Sequence, residues 1–245
     1  MSASAGYATR AGTYAAEVDA GLAAPQLLGD LLHPGMVVAE VPSGVGHYVH
    51  AYAEAGCRTV LVDASAEMLT AAADNTAGLP DLRFVHARLE TLTPHKLLVD
   101  LAVMPNGGVN QLAHDLPLSD VFRSLAGLLV PGGRVLVQAL LGEPVEKCGF
   151  YEPLRGSTWF TDRRIPDAAG GTLVRRRRQR RHGDLVDVDF TLHRGNALVY
   201  EHTVSLRLLD RACVTEAAAV AGLAVAAYRA GLGQLTEVVL AGAPS

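Results

Sequence analysis

The sequence lacks the features that mark several classes of protein. Its 245 residues include only three cysteines, none in a Cys-x-x-Cys spacing, which argues against a disulfide scaffold and a zinc site. It contains no uncharged apolar run long enough to span a bilayer, so we expect no transmembrane helix. The first residues show no apolar segment behind a basic start, which argues against a signal peptide. We therefore expect a cytoplasmic chain that binds no membrane.

An excess of charge of one sign is also lacking. The formal net charge is −4 and the isoelectric point about 6.1, so the whole molecule has no field that attracts nucleic acid. The basic run RRRRQRR at 175–181 is followed by Asp184, Asp187 and Asp189, and cross-strand ion pairs explain it better than contacts with nucleic acid. Inward arginines that bind a substrate carboxylate or phosphate are an alternative. The nine histidines have no ligand spacing, so we expect no metal.

A regular alternation of strands and helices runs from residue 36 to residue 140. Short apolar runs predict buried strands, and the amphipathic stretches between them predict helices. The strands are predicted at 36–41, 59–63, 82–87, 100–105 and 134–140, and the helices at 48–55, 66–75 and 116–129. Ser65 is a suitable N-cap for the second helix. This alternation requires right-handed crossovers and predicts an α/β fold with a parallel, doubly wound sheet.

The pattern changes after residue 142. A loop rich in proline, glycine and aromatic residues leads to predicted strands at 172–182, 184–194 and 197–209, with links typical of hairpins. A helix at 210–222 and strands at 223–230 and 235–241 follow. We therefore expect four segments. They are an N-terminal helical segment at 1–34, a cofactor-binding α/β core at 35–141, an antiparallel cap inserted at 142–209, and a C-terminal helix with the last strands at 210–245.

The turn after the first strand indicates a nucleoside site. The segment VAEVPSGVGHY at 38–48 places Gly44 and Gly46 where a Cβ would block positive φ and the approach of a ligand to backbone N–H groups. Asp63 ends the second strand, where an acid can accept hydrogen bonds from both hydroxyls of a ribose. A plain turn with structural glycines is the alternative.

Two residues favour S-adenosylmethionine (SAM) over NAD as the nucleoside cofactor. The dinucleotide fingerprint requires a glycine at position 49, which is Val49 here. The carboxylate of Glu40 would repel a pyrophosphate, but it would attract the ammonium group of an amino-acid tail.

From Val37 to about Gly242, the chain resembles class I SAM-dependent methyltransferases. The resemblance is greatest to the small-molecule N-methyltransferases that act on amino sugars of antibiotics. Three motifs carry it: the glycine-rich turn at 40–46, the sequence DASAEML at 63–69, and the Pro-Gly-Gly turn at 131–133. The resemblance implies a Rossmann-like, seven-stranded methyltransferase sheet with an inserted antiparallel cap, and an N-terminal lid that closes over SAM.

The resemblance also implies contacts between nine residues and the cofactor. They are Glu40, Pro42, Gly44 and Gly46 near the methionine part, Asp63 at the ribose, and Ala64, Met68, Arg88 and Leu89 near the adenine. Two of these residues depart from the family pattern. Pro42 replaces the first glycine of the motif and removes an N–H donor. Arg88 replaces an acid that commonly binds the adenine amino group; because arginine has no acceptor atom, backbone groups near Leu89, or packing, would hold the adenine.

Candidate catalytic residues follow the fourth strand and precede the first. Asn106 and Asn110 could orient a nucleophile, although turn formation is an equally ordinary role for asparagine. Tyr7, Arg10 and Tyr14 share one face of a predicted helix in the lid segment. Tyr14 is a candidate for contact with SAM or the substrate, and packing against the sheet is its alternative role.

The cap contributes a third candidate catalytic residue, His202. The even-numbered residues from Leu198 to Leu208 share one apolar face of a predicted strand, which directs Tyr200 and His202 inward. His202 could remove a proton from an ammonium group before methyl transfer, although a structural role is the more common one for a single inward histidine. Three aromatic residues of the preceding loop could form a pocket wall: Tyr151, Trp159 and Phe160.

The sequence therefore predicts a SAM-dependent methyltransferase of a small molecule, of the kind found in natural-product biosynthesis. An amine is favoured over a hydroxyl as the acceptor, and the methyl group would move by direct in-line displacement. One alternative is an enzyme that transfers or cyclises the 3-amino-3-carboxypropyl group of SAM and releases methylthioadenosine. Another is a SAM-binding subunit without activity. The cap is also a candidate surface for homodimer formation.

Overall fold

The computed structural model describes residues 10–18, 28–46, 48–92, 97–142, 158–167, 169–231 and 235–242. These residues form two sheets. The main sheet contains β1 (Val37–Glu40), β2 (Arg58–Asp63), β3 (Leu82–His86), β4 (Val99–Met104), β5 (Leu129–Ala139), β10 (Leu223–Ala230) and β11 (Thr236–Gly242). The second sheet, which we call the cap sheet, contains β6 (Phe160–Pro166), β7 (Thr172–His182), β8 (Leu185–Arg194) and β9 (Ala197–Arg207).

The main sheet has the strand order β10-β11-β5-β4-β1-β2-β3. β11 runs antiparallel to its neighbours β10 and β5, and the other pairs are parallel. The chain passes from β1 to β2 and β3 on one side and then returns to β4 on the other side of β1. A crevice forms where the strand order reverses, at the carboxyl ends of β1 and β4. The predicted fold, a seven-stranded α/β sheet with an antiparallel cap, is confirmed.

Helices cover both faces of the main sheet. α2 (Val49–Glu54) and α3 (Ala66–Asn75) lie on one face, and α4 (Gly108–Asp115), α5 (Leu118–Ala126) and α6 (Arg211–Val220) lie on the other. The alternation of side chains along β1 shows both layers, since Val38 joins the cluster of Tyr52 from α2 while Ala39 joins that of Phe122 from α5. A further helix, α1 (Ala11–Val18), precedes the sheet.

Helix α3 begins and ends where the sequence predicts. Ser65 has an extended backbone, and its hydroxyl accepts a hydrogen bond from the Met68 N–H at 3.2 Å. Met68 and Leu69 are buried on the inner side of the helix. This N-cap therefore fixes the position of the residues that follow β2.

Three elements differ from the prediction. Residues 108–115 form α4 instead of a loop, because burial of Val109 and Ala113 outweighs the weak helix propensity of the glycine and asparagine around them. β5 already begins at Leu129, so the Pro-Gly-Gly turn at 131–133 lies within the strand. β6 adds a fourth strand to the cap, where charged residues conceal the alternation typical of strands.

The cap sheet confirms the predicted cross-strand ion pairs. Arg178 and Arg180 of β7 both pair with Asp189 of β8, at 2.6 and 3.1 Å. The predicted inward face of β9 is correct from Tyr200 onward but wrong for Leu198, which is 55% exposed. A bulge opposite residues 192 and 193 shifts the register there and turns the start of β9 outward. Among the described residues, no helix is long and apolar enough to cross a membrane.

Candidate functional site

A cleft open to solvent, which we call the cavity, lies at the carboxyl ends of β1, β2 and β4, and its space together with the solvent at its mouth amounts to about 920 Å³. Its walls come from the β1–α2 turn, the segments after β2 and β3, and the β4–α4 turn, with one residue from α1. Of the twelve residues predicted for the site, nine line it: Tyr14, Pro42, Gly44, Asp63, Ala64, Met68, Arg88, Leu89 and Asn106. The remaining three, Glu40, Gly46 and His202, are not among the lining residues.

The two glycines of the β1–α2 turn have different roles. Gly44 has a φ of +53° and donates its N–H to Asp63 Oδ2 at 2.8 Å, which connects the turn to the end of β2. Gly46 has a φ of +79°, and a Cβ there would lie 3.0 Å from Val49 Cγ2. Gly44 is also one of the residues that line the cavity. Gly46 lies outside the lining and allows α2 to pack closely against the turn.

Pro42 forms a wall of the cavity together with the start of α4. A Cβ on Gly108 would lie 3.2 Å from Pro42 Cδ and 3.2 Å from Met104 Cγ. Residues larger than glycine at position 108 would therefore push the β1 and β4 turns apart. The proline that departs from the family pattern is thus accommodated by a glycine on the neighbouring turn.

Asp63 is held by backbone donors on both carboxylate oxygens. Gly44 N–H donates to Oδ2 and Ser65 N–H donates to Oδ1, each at 2.8 Å. Burial raises the pKa of Asp63, while these backbone hydrogen bonds act in the opposite direction. A carboxylate has about four acceptor positions, so each oxygen can accept one more hydrogen bond. Asp63 can therefore accept both hydroxyls of a ribose in the cavity.

The wall beyond Asp63 suits a flat aromatic base. Ala64, Met68 and Leu89 offer apolar surface there. Arg88 and Glu90 also line the cavity, and the Arg88 guanidinium forms an ion pair with the Glu90 carboxylate. Glu90 is a residue that the sequence analysis missed, and it brings an acceptor group near the position where Arg88 replaces the acid of the family pattern.

Two candidate catalytic residues, Tyr14 and Asn106, meet in the cavity. Asn106 Nδ2 donates a hydrogen bond to the Tyr14 hydroxyl at 3.4 Å. Asn106 follows β4 and has a φ of +52°, a backbone conformation that asparagine tolerates better than most residues. Its N–H donates to Gln138 Oε1 at 2.9 Å, which holds the turn against β5. Burial raises the pKa of Tyr14, so its phenol is neutral at physiological pH.

Glu40 lies at the carboxyl end of β1, as predicted, and is not among the residues that line the cavity. Its carboxylate is fully buried, and it accepts hydrogen bonds from Tyr52 Oη at 2.8 Å and from the Tyr48 N–H at 3.3 Å. Burial, with Glu40 as a further cause, raises the pKa of Tyr52 well above its ordinary value. Glu40 thus joins β1 to the start of α2, beneath the turn that lines the cavity.

His202 lies between the cap sheet and α1, apart from the cavity lining. It is buried, and burial together with the nearby Arg10 guanidinium lowers its pKa to about 4. The imidazole is therefore neutral at physiological pH and a weak base. Its catalytic role stays a prediction.

Other candidates from the sequence have structural contacts or lie outside the described residues. Asn110 is fully buried; it donates hydrogen bonds to the carbonyls of Leu140 and Arg207 and accepts one from the Leu140 N–H. The aromatic rings of Trp159 and Phe160 lie against arginines of β7 and do not line the cavity. Tyr7 and Tyr151 lie outside the described residues.

Gln138 is a positioning residue that the sequence analysis missed. Its Oε1 accepts hydrogen bonds from the Asn106 N–H and from Tyr48 Oη, each at 2.9 Å, and its Nε2 donates to Glu237 Oε1 at 3.1 Å. A single polar residue in the apolar run VLVQAL at 135–140 was the available signal. Two lining residues of α4, Gln111 and Leu112, were also missed because that helix was not predicted.

The strand order, the single antiparallel strand and the position of the cavity define the fold of class I SAM-dependent methyltransferases. Residues 38–133 match the family model described as a methyltransferase domain. This segment carries the β1–α2 turn, Asp63 and Asn106. The predictions of a class I methyltransferase and of an enzyme are thereby confirmed. The prediction of SAM as the cofactor is confirmed by this match together with solved structures of the same fold that contain SAM or S-adenosylhomocysteine.

Solved structures of natural-product methyltransferases share this fold over nearly the whole chain. The CcbJ methyltransferase from Streptomyces caelestis is 19% identical, with a TM-score of 0.75 over 91% of this chain and 90% of that one. The sugar N-methyltransferase KedS8 from a Streptoalloteichus species is 17% identical, with a TM-score of 0.72 over 94% and 90%. The amino pentose methyltransferase CalS10 from Micromonospora echinaspora is 17% identical, with a TM-score of 0.65 over 99% and 92%. No protein of curated function matches the sequence.

Proposed function

We propose that this enzyme methylates an amine nitrogen of a small natural-product molecule by direct in-line transfer. One observation carries the proposal: the same cavity is lined by Asp63, which suits a ribose, and by the hydrogen-bonded pair of Tyr14 and Asn106. KedS8 and CalS10, which have the same fold, are described as acting on a sugar nitrogen and on an amino pentose. These descriptions favour an amino sugar as the first class of acceptor to test.

The residues of the cavity fit the parts of SAM. Asp63 has acceptor positions left for the ribose, and Ala64, Met68 and Leu89 offer apolar surface to the adenine. Pro42 and Gly44 would lie beside the methionine part. SAM, when bound, supplies a methyl group already activated by a positively charged sulfur.

The chain's own task is then to hold an amine in line and to keep water out. The Asn106 side-chain carbonyl and the Tyr14 hydroxyl oxygen can accept hydrogen bonds from an amine N–H, which orients the amine and leaves its lone pair free to attack the methyl group. Positioning of this kind can supply a large part of the rate acceleration when the donor is already activated. His202, with a pKa of about 4, would contribute little as a base, so we infer that the amine reacts as the free base.

The experiment is an incubation of the purified chain with SAM and a panel of amino sugars, simple amines and the matching hydroxy sugars. Mass spectrometry identifies the nucleoside product and the modified acceptor. S-adenosylhomocysteine (SAH) with a methylated amine supports the proposal, and methylation confined to the hydroxy sugars contradicts the choice of nitrogen. Methylthioadenosine would indicate transfer or cyclisation of the 3-amino-3-carboxypropyl group instead.

A further inference from the structure

The side chain of Glu17, in helix α1, is fully buried where that helix meets the cap sheet. Its Oε2 accepts hydrogen bonds from Tyr200 Oη at 2.6 Å, Arg10 Nη2 at 2.7 Å and Arg175 Nη1 at 3.1 Å. Its Oε1 accepts one from Thr13 Oγ1 at 2.7 Å. A carboxylate on the surface can be satisfied by water, whereas the buried Glu17 carboxylate is satisfied by four protein donors. Glu17 and these donors therefore form a specific attachment of α1 to the cap sheet.

The attachment involves all four strands of the cap sheet. Asp162 of β6 forms an ion pair with Arg175 of β7 at 2.8 Å, and Tyr200 of β9 binds Glu17. Phe190 of β8 lies under the Arg10 guanidinium, 5.1 Å from its carbon to the ring centre. The two arginines balance the two carboxylates, which is the condition under which buried charges are tolerated.

The other end of the same helix face reaches the cavity. Tyr14 lines the cavity and binds Asn106, and it packs against Val45 of the β1–α2 turn and Met68 of α3. Helix α1 therefore lies between the cofactor-binding turn and the cap. Because Tyr14 and Glu17 are less than one helical turn apart, α1 cannot leave the cap without displacing Tyr14.

We propose that Glu17 is a positioning residue whose contacts with Arg10, Thr13, Arg175 and Tyr200, which we call the latch, hold α1 against the cap sheet. Opening of this latch limits the rate at which the nucleoside leaves the cavity. The inference rests on the SAM-binding cavity described above, but not on the identity of the acceptor. Removal of one partner from a buried ion pair leaves the remaining charges uncompensated and is strongly unfavourable. Loss of the Glu17 carboxylate should therefore release α1. The main sheet and the cap sheet should stay folded, because each has its own hydrophobic core.

The test measures the dissociation rate of SAH from the immobilised full-length chain by surface plasmon resonance. We expect Glu17→Ala to raise this rate by about tenfold or more. Glu216→Ala, which removes an exposed glutamate from α6, serves as the matched control and should leave the rate within about twofold. Added formate should slow release from Glu17→Ala and have no effect on the unchanged chain, since formate can replace the missing carboxylate between the arginines. Sodium chloride at equal ionic strength controls for screening.

Two milder variants provide the same test if Glu17→Ala does not fold. Tyr200→Phe and Thr13→Val each remove one donor to Glu17 and keep the side-chain volume, and each should raise the dissociation rate by about threefold. Unchanged SAH dissociation in Glu17→Ala, or in both milder variants where Glu17→Ala does not fold, contradicts the latch. If the unchanged chain binds no SAH at all, the cofactor assignment fails as well, which separates that outcome from failure of the latch alone.

Discussion

Asp63 has two roles that the structure joins in one carboxylate. It fixes the β1–α2 turn through the Gly44 N–H, and it presents its remaining acceptor positions to the cavity. A residue of this kind orders the loop that binds the cofactor before the cofactor arrives, which lowers the cost of binding.

We predict that Asp63→Ala weakens SAM binding by about 2–3 kcal/mol, roughly 30- to 150-fold, because two hydrogen bonds to a charged acceptor are lost. Isothermal titration calorimetry measures the affinity. Asp74→Ala, an exposed aspartate on α3, is the control and should bind SAM as the unchanged chain does. An affinity for SAM in Asp63→Ala equal to that of the unchanged chain would remove the ribose assignment.

Single residues were predictable where their chemistry is tied to a motif. Asp63 and Gly44 follow from the spacing of a strand end and a turn, and both line the cavity. Glu40 was placed in the correct strand, but its partners, Tyr48 and Tyr52, depend on how α2 packs. The sequence holds no local signal for a contact made across two elements, and the assignment of Glu40 to the methionine part stays a prediction.

At the scale of elements, α4 is attached to the cap through Asn110. Its amide satisfies three backbone groups, the N–H and carbonyl of Leu140 and the carbonyl of Arg207. We predict that Asn110→Ala lowers the free energy of unfolding by about 2–4 kcal/mol, because these buried groups lose their partner. Urea denaturation measures the loss, with the exposed Asn196→Ala as the control. A loss below about 1 kcal/mol would show that water or a shift of β9 replaces the amide.

The contact between α1 and the cap sheet should weaken in acid. His202 faces Arg10 and Glu17 there, and Arg175, Asp162 and Tyr200 complete the group. Burial lowers the pKa of His202 to about 4, so the folded state binds its proton less readily than the unfolded state. The pKa of Glu17 is also lowered: burial opposes this shift, and Arg10 with the hydrogen bonds from Tyr200 and Thr13 outweighs it. Both contributions to stability are present at neutral pH and are lost as the pH falls.

We predict that the free energy of unfolding decreases between about pH 6.5 and pH 4, and that His202 accounts for up to about 3 kcal/mol of the decrease. Urea denaturation at a series of pH values compares the unchanged chain with His202→Gln, which removes the titrating group. The variant should show a flatter dependence on pH in this window. Equal slopes for both proteins would mean that His202 keeps an ordinary pKa in the folded state.

Elements with a clear hydrophobic period were predictable, and elements held by tertiary contacts were not. Helix α3 has its N-cap and buried face in the sequence, so its bounds agree with the prediction. Helix α4 contains glycine, asparagine and histidine and forms because the cap and core bury one of its faces. Strand β6 carries charged residues on an edge and depends on its pairing with β7.

At the scale of the whole molecule, helix α1 contacts both the cavity, through Tyr14, and the cap sheet, through Glu17. The seven-stranded α/β sheet was predictable from the alternation of elements and from the resemblance of three motifs, and the antiparallel cap from its hairpin links, because topology is restricted by right-handed crossovers. The attachment of α1 to the cap joins residues more than 150 positions apart and depends on contacts that no sequence period encodes. Formation of a homodimer through the cap stays a prediction that light scattering can test.

The most direct test of the central claim is the identification of the nucleoside formed when the full chain is incubated with SAM and amino sugars. The account predicts SAH together with an acceptor that carries one more methyl group on nitrogen, and much slower SAH formation by Asp63→Ala at a SAM concentration that does not saturate the variant. Methylthioadenosine as the main product, or SAM recovered unchanged with every acceptor despite measurable binding, would contradict it.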